Sequence, residues 1–354
     1  MKIGLVFLLL IPGMVLGPAA AAPAEESVTV YSVPQSESAK AAEYWTPERM
    51  RRAKPRKMPV RPEKPASTQA SGEEEIRGEP GMDPGGMPGE KSPKRRSKPA
   101  MEPEVQKADA TAEGYKYPPP QNTFAVPKEY YKTYPYMAVG KVFFVEDGED
   151  NVCSASSIGG NAVITAGHCV SDGKGHFLEK WVFVPAYIKE GKTPVKPYGT
   201  WPATDFILFG SYHKGGDIGR DVAFAVTKNN DQGEKLSDVV GYLGFAYNKS
   251  RVQHWNMFGY PAVEPFNGRI LYQSQASYAD KDGSVEPPTM GMGTTQTGGC
   301  SGGPWILEFT PLNDTDGNFV FGVNSYVYGN QPKLMYAPYF DDEVKRLKDR
   351  AVAK

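Results

Sequence analysis

Ser301 stands in the run Gly299, Cys300, Ser301, Gly302, Gly303, Pro304, where small neighbours let the backbone turn sharply. Such a turn can present the Ser301 hydroxyl while the N–H groups of Gly299 and Ser301 point at one developing oxyanion. A hydroxyl becomes a useful nucleophile when a base takes its proton and a third group orients the base. His168 can be that base. Asp221 opens the apolar run Val222, Ala223, Phe224, Ala225, Val226, and a carboxylate at the start of such a strand is held with little water and can orient His168 through its other ring nitrogen. Asp217, the competing carboxylate, sits in a Gly-rich loop with no apolar run after it, which favours Asp221. Alone, the Gly-rich turn reads as a tight hairpin corner and the histidine as structural. Together the three residues point to nucleophilic acyl transfer.

Two further stretches give these residues a family context. Cys153, Ser154, Ala155 and Ser156 precede a strand-like stretch ending in Thr165, Ala166, Gly167, His168, Cys169, which resembles the histidine signature of chymotrypsin-like serine peptidases. Gly299–Pro304 resembles that family's nucleophile loop. The order His, Asp, Ser, with separations of about 50 and about 80 residues, is the chymotrypsin order and differs from those of subtilisin and the α/β-hydrolases. Gly259, Tyr260, Pro261 is similar to a stretch in secreted bacterial glutamyl-endopeptidase-like members.

The resemblance runs from about Tyr136 to the C-terminus. It implies an all-β fold of two six-stranded antiparallel β-barrels, with His168 and Asp221 from the first and Ser301 from the second. It implies a serine endopeptidase that hydrolyses peptide bonds through an acyl-enzyme, with Gly299 and Ser301 as the oxyanion hole, protein or peptide substrates, no cofactor and no metal. Thr295 and Gln296 would line the specificity pocket, and Ser325, Tyr326 and Val327, after Asn324, would form the substrate-binding edge. There Ser325 and Val327 would offer backbone groups to an extended peptide by strand addition. A bridge between Cys153 and Cys169 is also implied, with Cys300 unpaired. Closing a loop of about 15 residues is worth roughly 3 kcal/mol in the chain-entropy treatment and would fix the turn carrying His168.

Two departures from trypsin matter. Cys300 stands where trypsin-like zymogens carry an aspartate that receives the new N-terminal amine, and no Ile-Val-Gly-Gly-type start precedes Tyr136, so activation by that route is not expected. Thr295 stands six residues before the nucleophile, where trypsin is acidic. A neutral pocket floor cannot pair a Lys or Arg side chain, so a specificity that is not trypsin-like is expected.

These residues need a scaffold. From about Tyr130 onward, short runs rich in Val, Ile, Phe and Tyr alternate with Gly, Asn, Asp and Pro, the texture of an all-β domain. FDDEVKRLKDRA differs: Asp341 can cap a helix, and Phe340, Val344 and Leu347 fall near one helical face. A C-terminal α-helix therefore closes a peptidase domain over 130–354.

The start of the chain reads as a secretory signal peptide over 1–24: Lys2, an apolar run from Ile3 to Leu16 and an alanine cluster at Ala19–Ala24. The run is broken by Pro12 and Gly13 and is shorter than the roughly 20 residues of a membrane span. Residues 25–129 are rich in Pro, Gly, Ala and charge, so they are expected to be a largely disordered linker or a pro-segment of a zymogen. One short helix is expected near 46–53, capped by Thr46 with Pro47 at its first position and Glu48 near its positive end. A secreted protein, extracellular or associated with the cell envelope through the basic clusters near Arg51 and Lys94, is the expected context, as a monomer. With 40 Lys and Arg against 41 Asp and Glu, the charge gives no reason to expect nucleic acid as a partner. His176, His213 and His254 have no companion ligand at metal spacing. The competing reading from another class is an inactive homologue that uses the scaffold for binding; it predicts a damaged set of site residues, whereas His168, Asp221 and Ser301 are all present.

Overall fold

A computed structural model describes residues 26–64, 78–89, 120–191 and 193–354; the expected signal peptide lies outside them. The β-rich runs pair into two antiparallel barrels. In the first, Trp201–Phe209, Ala223–Thr227, Ala162–Thr165, Glu149–Gly159, Val139–Glu146 and Glu179–Pro185 follow one another. The ring closes where Trp201 pairs Phe183 and Pro202 pairs Val182.

The second barrel runs through His254–Gly259, Tyr272–Asp282, Thr289–Gly293, Gln331–Ala337 and Tyr326–Tyr328. Phe319–Val323 continues from Tyr326–Tyr328 across the break at Asn324 and Ser325, and pairs with Pro304–Leu307, which returns to His254–Gly259. The break in this bent strand is where the chain turns from one neighbour to the other, and it sets Ser325 at the junction of the barrels.

Burial of aromatic and branched side chains drives both units. Phe143, Phe144 and Phe183 fill the first, and Trp255 packs against Trp305 in the second with ring centroids 5.2 Å apart. Each such side chain contributes about 1.5–3 kcal/mol relative to exposure. The C-terminal helix Asp342–Val352 is present, with the Asp341 side chain accepting from the Val344 N–H. Val344, Leu347 and Ala351 are buried on its inner face, against the strand Ala223–Thr227 of the first barrel.

The reading of 25–129 as largely disordered requires correction for the residues described. Val28–Ser32 adds to the outer side of Trp201–Phe209, a helix spans Gln35–Tyr44 and another Pro47–Arg52, the latter capped by Thr46. Gly81–Asp83 pairs with Gly244–Tyr247, and Asn122–Ala125 with Tyr272–Asp282. The physical reason is that this segment has no core of its own but carries isolated anchors. Ala41, Trp45 and Met50 are buried, and the Trp45 indole donates to the Lys180 carbonyl at 2.6 Å. A composition average hides anchors that fold onto another surface. Among the described residues no helix is long and apolar enough to cross a membrane.

Candidate active site

His168 lies in the single turn Gly167–Cys169 that follows the strand Ala162–Thr165. A disulfide ties Cys169 to Cys153 on the neighbouring strand, with Cα atoms 6.2 Å apart, and the Trp181 indole donates to the Cys169 carbonyl at 2.9 Å. The turn is thus held at its C-terminal side by a covalent bond and a hydrogen bond. The imidazole and the two sulfurs lie close enough to suggest a metal site, but disulfide sulfurs are not thiolates and make poor ligands.

Asp221 follows the turn Ile218–Arg220 and leads into Ala223–Thr227. Its carboxylate receives the His168 backbone N–H on Oδ1 at 2.7 Å and faces His168 Nδ1 through Oδ2 at 2.8 Å. Two contacts to one residue fix both the position of the histidine and the plane of its ring. Oδ2 also accepts from Ser325 Oγ at 2.5 Å. Burial alone pushes the Asp221 carboxyl up; the His168 charge and the hydrogen bonds from His168 and Ser325 outweigh it and hold the pKa below the ordinary carboxylate value. Asp217, by contrast, is spent on the Gly219 N–H as a cap.

The Ser301 loop is clamped from both barrels. From the first, the Ser154 N–H donates to the Ser301 carbonyl at 2.7 Å and Ser154 Oγ donates to the Gly299 carbonyl at 2.9 Å, while accepting the Tyr260 N–H. From the second, Asn324 Nδ2 donates to the carbonyls of Cys300 at 2.8 Å and Phe258 at 3.1 Å, with its own oxygen held by the Trp305 indole. Gly302 has φ +77°, and a Cβ there would stand 2.0 Å from Thr165 Oγ1 and 2.8 Å from the Ala166 nitrogen. Only glycine lets the loop approach the chain that leads into His168. Gly299, at φ +99°, gives the other turn.

Ser301 Oγ and His168 Nε2 are both buried and make no hydrogen bond among the described residues. Neither do the N–H groups of Gly299 and Ser301 among the described residues. A buried polar atom without a partner costs roughly 1–3 kcal/mol, and several in one place mark a site kept for something other than stability.

A search of solved structures returns the protease Anisep from Arthrobacter nicotinovorans, at 32% identity and a TM-score of 0.58, over 66% of this chain and 100% of that one. The chain belongs to the chymotrypsin-like serine proteases. It is a serine endopeptidase. The thermostable serine protease AL20 from an extremophilic microorganism is similar at 33% identity, with a TM-score of 0.56 over 64% of this chain and 100% of that one. A Glu endopeptidase in complex with MPD shares the fold at 18% identity and a TM-score of 0.50, over 67% of this chain and 98% of that one. A scan against protein-family models and a search of curated proteins find no match.

The protease's other expected site residues lie in the second barrel. Thr295 is half-buried, its N–H 3.4 Å from Thr123 Oγ1. Gln296 is buried, with its amide nitrogen on Ser274 Oγ at 3.1 Å and its oxygen without a partner among the described residues. The Ser325 N–H is engaged inside the sheet by the Tyr336 carbonyl at 3.0 Å. The Tyr326 hydroxyl is turned to Asp282 and Thr289, each at 2.6 Å. Cys300 is a free, buried cysteine whose thiol is pushed up by burial, the environment of an inert side chain. His213 is buried against Ser171 Oγ, His176 pairs with Asp172, and His254 meets Ser277. The roles of Ser154, Asn324 and the Ser325 hydroxyl were missed from sequence, where single polar residues in strands carry no pattern.

Proposed function

We propose that the protease acts through Ser301 as nucleophile, His168 as base and Asp221 as the group that orients it. The observation that carries this is the double contact of the Asp221 carboxylate with His168 Nδ1 and backbone N–H, which leaves Nε2 as the nitrogen able to take a proton. Ser301 Oγ attacks the scissile carbonyl as its proton passes to Nε2, and the oxyanion is met by the N–H groups of Gly299 and Ser301. As the C–N bond breaks, Nε2 returns that proton to the leaving amine. Water then attacks the acyl-enzyme, again giving its proton to Nε2, and Ser301 departs with it.

The leader over 1–24 and the disulfide fit export into an oxidising compartment, with 130–354 as the catalytic unit. The neutral Thr295 and Gln296 suit a small, uncharged or acidic residue before the cleaved bond rather than Lys or Arg. Mass spectrometry of the protein recovered from culture medium, and of its cuts in a peptide library, tests this reading. A fluorophosphonate adduct mapped to Ser301 and few cuts after Lys or Arg are expected; an unlabelled Ser301 in a protein that cleaves peptides refutes the mechanism.

A further inference from the structure

We infer that residues 54–64 form an autoinhibitory strap laid across the substrate cleft; this rests on the function proposed above and concerns the regulation of the same site. The Val327 N–H, one of the groups an extended substrate would need on the edge strand, is already donated to the Pro59 carbonyl at 3.2 Å. The Gly329 N–H is likewise donated to the Arg61 carbonyl at 2.9 Å. Val60–Arg61 thereby adds to Tyr326–Tyr328 as a parallel strand, the strand addition by which a peptide would bind. One N–H cannot serve strap and substrate at once.

The strap enters from the other barrel. Lys54 and Pro55 pair with Asn151 and Val152, and the Arg56 N–H donates to the Val152 carbonyl at 3.1 Å. Val152 is next to Cys153 of the disulfide and two residues before Ser154, which holds the Ser301 loop. A Cβ on Gly298, beside Gly299, would stand 3.4 Å from the Arg56 carbonyl oxygen and 3.8 Å from Pro55 Cβ. Between Arg56 at this loop and Pro59 at Val327, only Lys57 and Met58 intervene, and about 10 Å of extended chain covers that gap. Met58 is buried in it, at 9% exposure. The strap therefore crosses from one barrel to the other beside the loop that carries Ser301, whose hydroxyl is buried.

Charge and aromatic contacts fasten both ends. The Arg56 guanidinium pairs with Glu146 and donates to the Ser171 carbonyl at 3.2 Å. The Arg61 guanidinium lies over the rings of Tyr326 and Tyr328, 5.9 and 5.5 Å from their centroids, and Lys64 pairs with Asp280. Pro55, Pro59 and Pro62 remove three N–H donors and fix φ. The strap is thus already extended and loses little entropy on docking.

The test compares the full-length protein with its R61E/K64E variant, which sets like charges against Asp280 and removes the cation from the tyrosine rings. Two rates are read: hydrogen exchange at the Val327 and Gly329 amides, and labelling by a biotinylated fluorophosphonate. We expect the variant to lose amide protection and to label on the order of tenfold faster, the size of change that a modest shift toward the open state produces. A synthetic peptide of residues 54–64 added to the variant should slow peptide hydrolysis competitively. Equal, measurable labelling rates with unchanged amide protection would overturn the strap. Loss of protection with no labelling of either protein would instead refute the peptidase chemistry and leave the strap's occupancy of the edge standing.

Discussion

Ser325 Oγ donates to Oδ2 of Asp221 at 2.5 Å, so a hydroxyl from the second barrel is tied to a carboxylate of the first. Because Asp221 is fully buried, its charge is tolerated only through such partners. The contact makes the seam between the barrels part of the electrostatics of His168.

Ser325→Ala should therefore act on pH dependence as well as rate. The Asp221 pKa is depressed in the folded protein, so its contribution to stability is present above the ordinary carboxylate value and is lost as the pH falls through the folded one. Removing a hydrogen bond to the charged form moves the folded pKa upward, and acid unfolding should begin at higher pH. A bond to a charged group is worth about 1.5–3 kcal/mol, and if about half of it is felt in the transition state kcat/KM falls roughly three- to tenfold. Circular dichroism between pH 2 and 6 and steady-state kinetics check both halves; an unchanged acid midpoint would show that Ser325 does not stabilise the Asp221 charge.

Ser301→Ala should abolish peptide hydrolysis and fluorophosphonate labelling, while Cys300→Ala should keep labelling. Cys300 is buried and its thiol pushed up, so it offers almost no thiolate near neutral pH. Substituting each residue in turn separates the neighbours, since a thiol nucleophile would invert the two results.

The residue pattern made legible what repeats along the chain. Strand texture from Tyr130 onward and the Asp341-capped helix could be read because alternation, caps and turn residues are local signals. His168, Asp221 and Ser301 stood out by their immediate neighbours. The hold of Ser325 on Asp221, the clamp of Ser154 on Gly299 and the strap over Val327 could not, because each joins residues about 100 or more positions apart through a single polar atom, and no period or composition marks such a contact. Pro-rich composition misled at 26–64 for a related reason: a few anchors such as Trp45 suffice when another part of the chain supplies the core.

The disulfide yields a third prediction. Denatured without reductant, each chain should expose one reactive thiol, that of Cys300, and three after reduction. Cys153→Ala/Cys169→Ala should lower stability by about 3 kcal/mol, the closure entropy of a loop of this size, and should lower activity beyond that by freeing the turn that carries His168. Urea unfolding gives the first and kinetics under fully folded conditions the second. Equal stability of the two proteins would mean that the rest of the barrel already fixes this turn.

Lys141, which pairs with Ser154 across the sheet, offers a test through a group that is not itself one of the reacting ones. It is buried in the strand Val139–Glu146, with Nζ donating to the Gly268 carbonyl at 2.7 Å and lying 5.0 Å from the Tyr187 ring centroid. Burial, with the Lys189 charge adding to it, pushes its pKa down to about 7, against about 10.4 in an unfolded chain. Between those values the unfolded state binds the proton and the folded state does not, so stability rises with pH across that window. Each pH unit fully inside it is worth about 1.4 kcal/mol. Lys141→Met removes the titrating group while keeping most of the volume, so the variant should show a flatter stability profile from about pH 7 to about pH 10 and be the more stable protein at the acid end. Urea midpoints measured across that range decide it: parallel profiles for the two proteins would show that the carbonyl and ring contacts keep Lys141 charged in the fold.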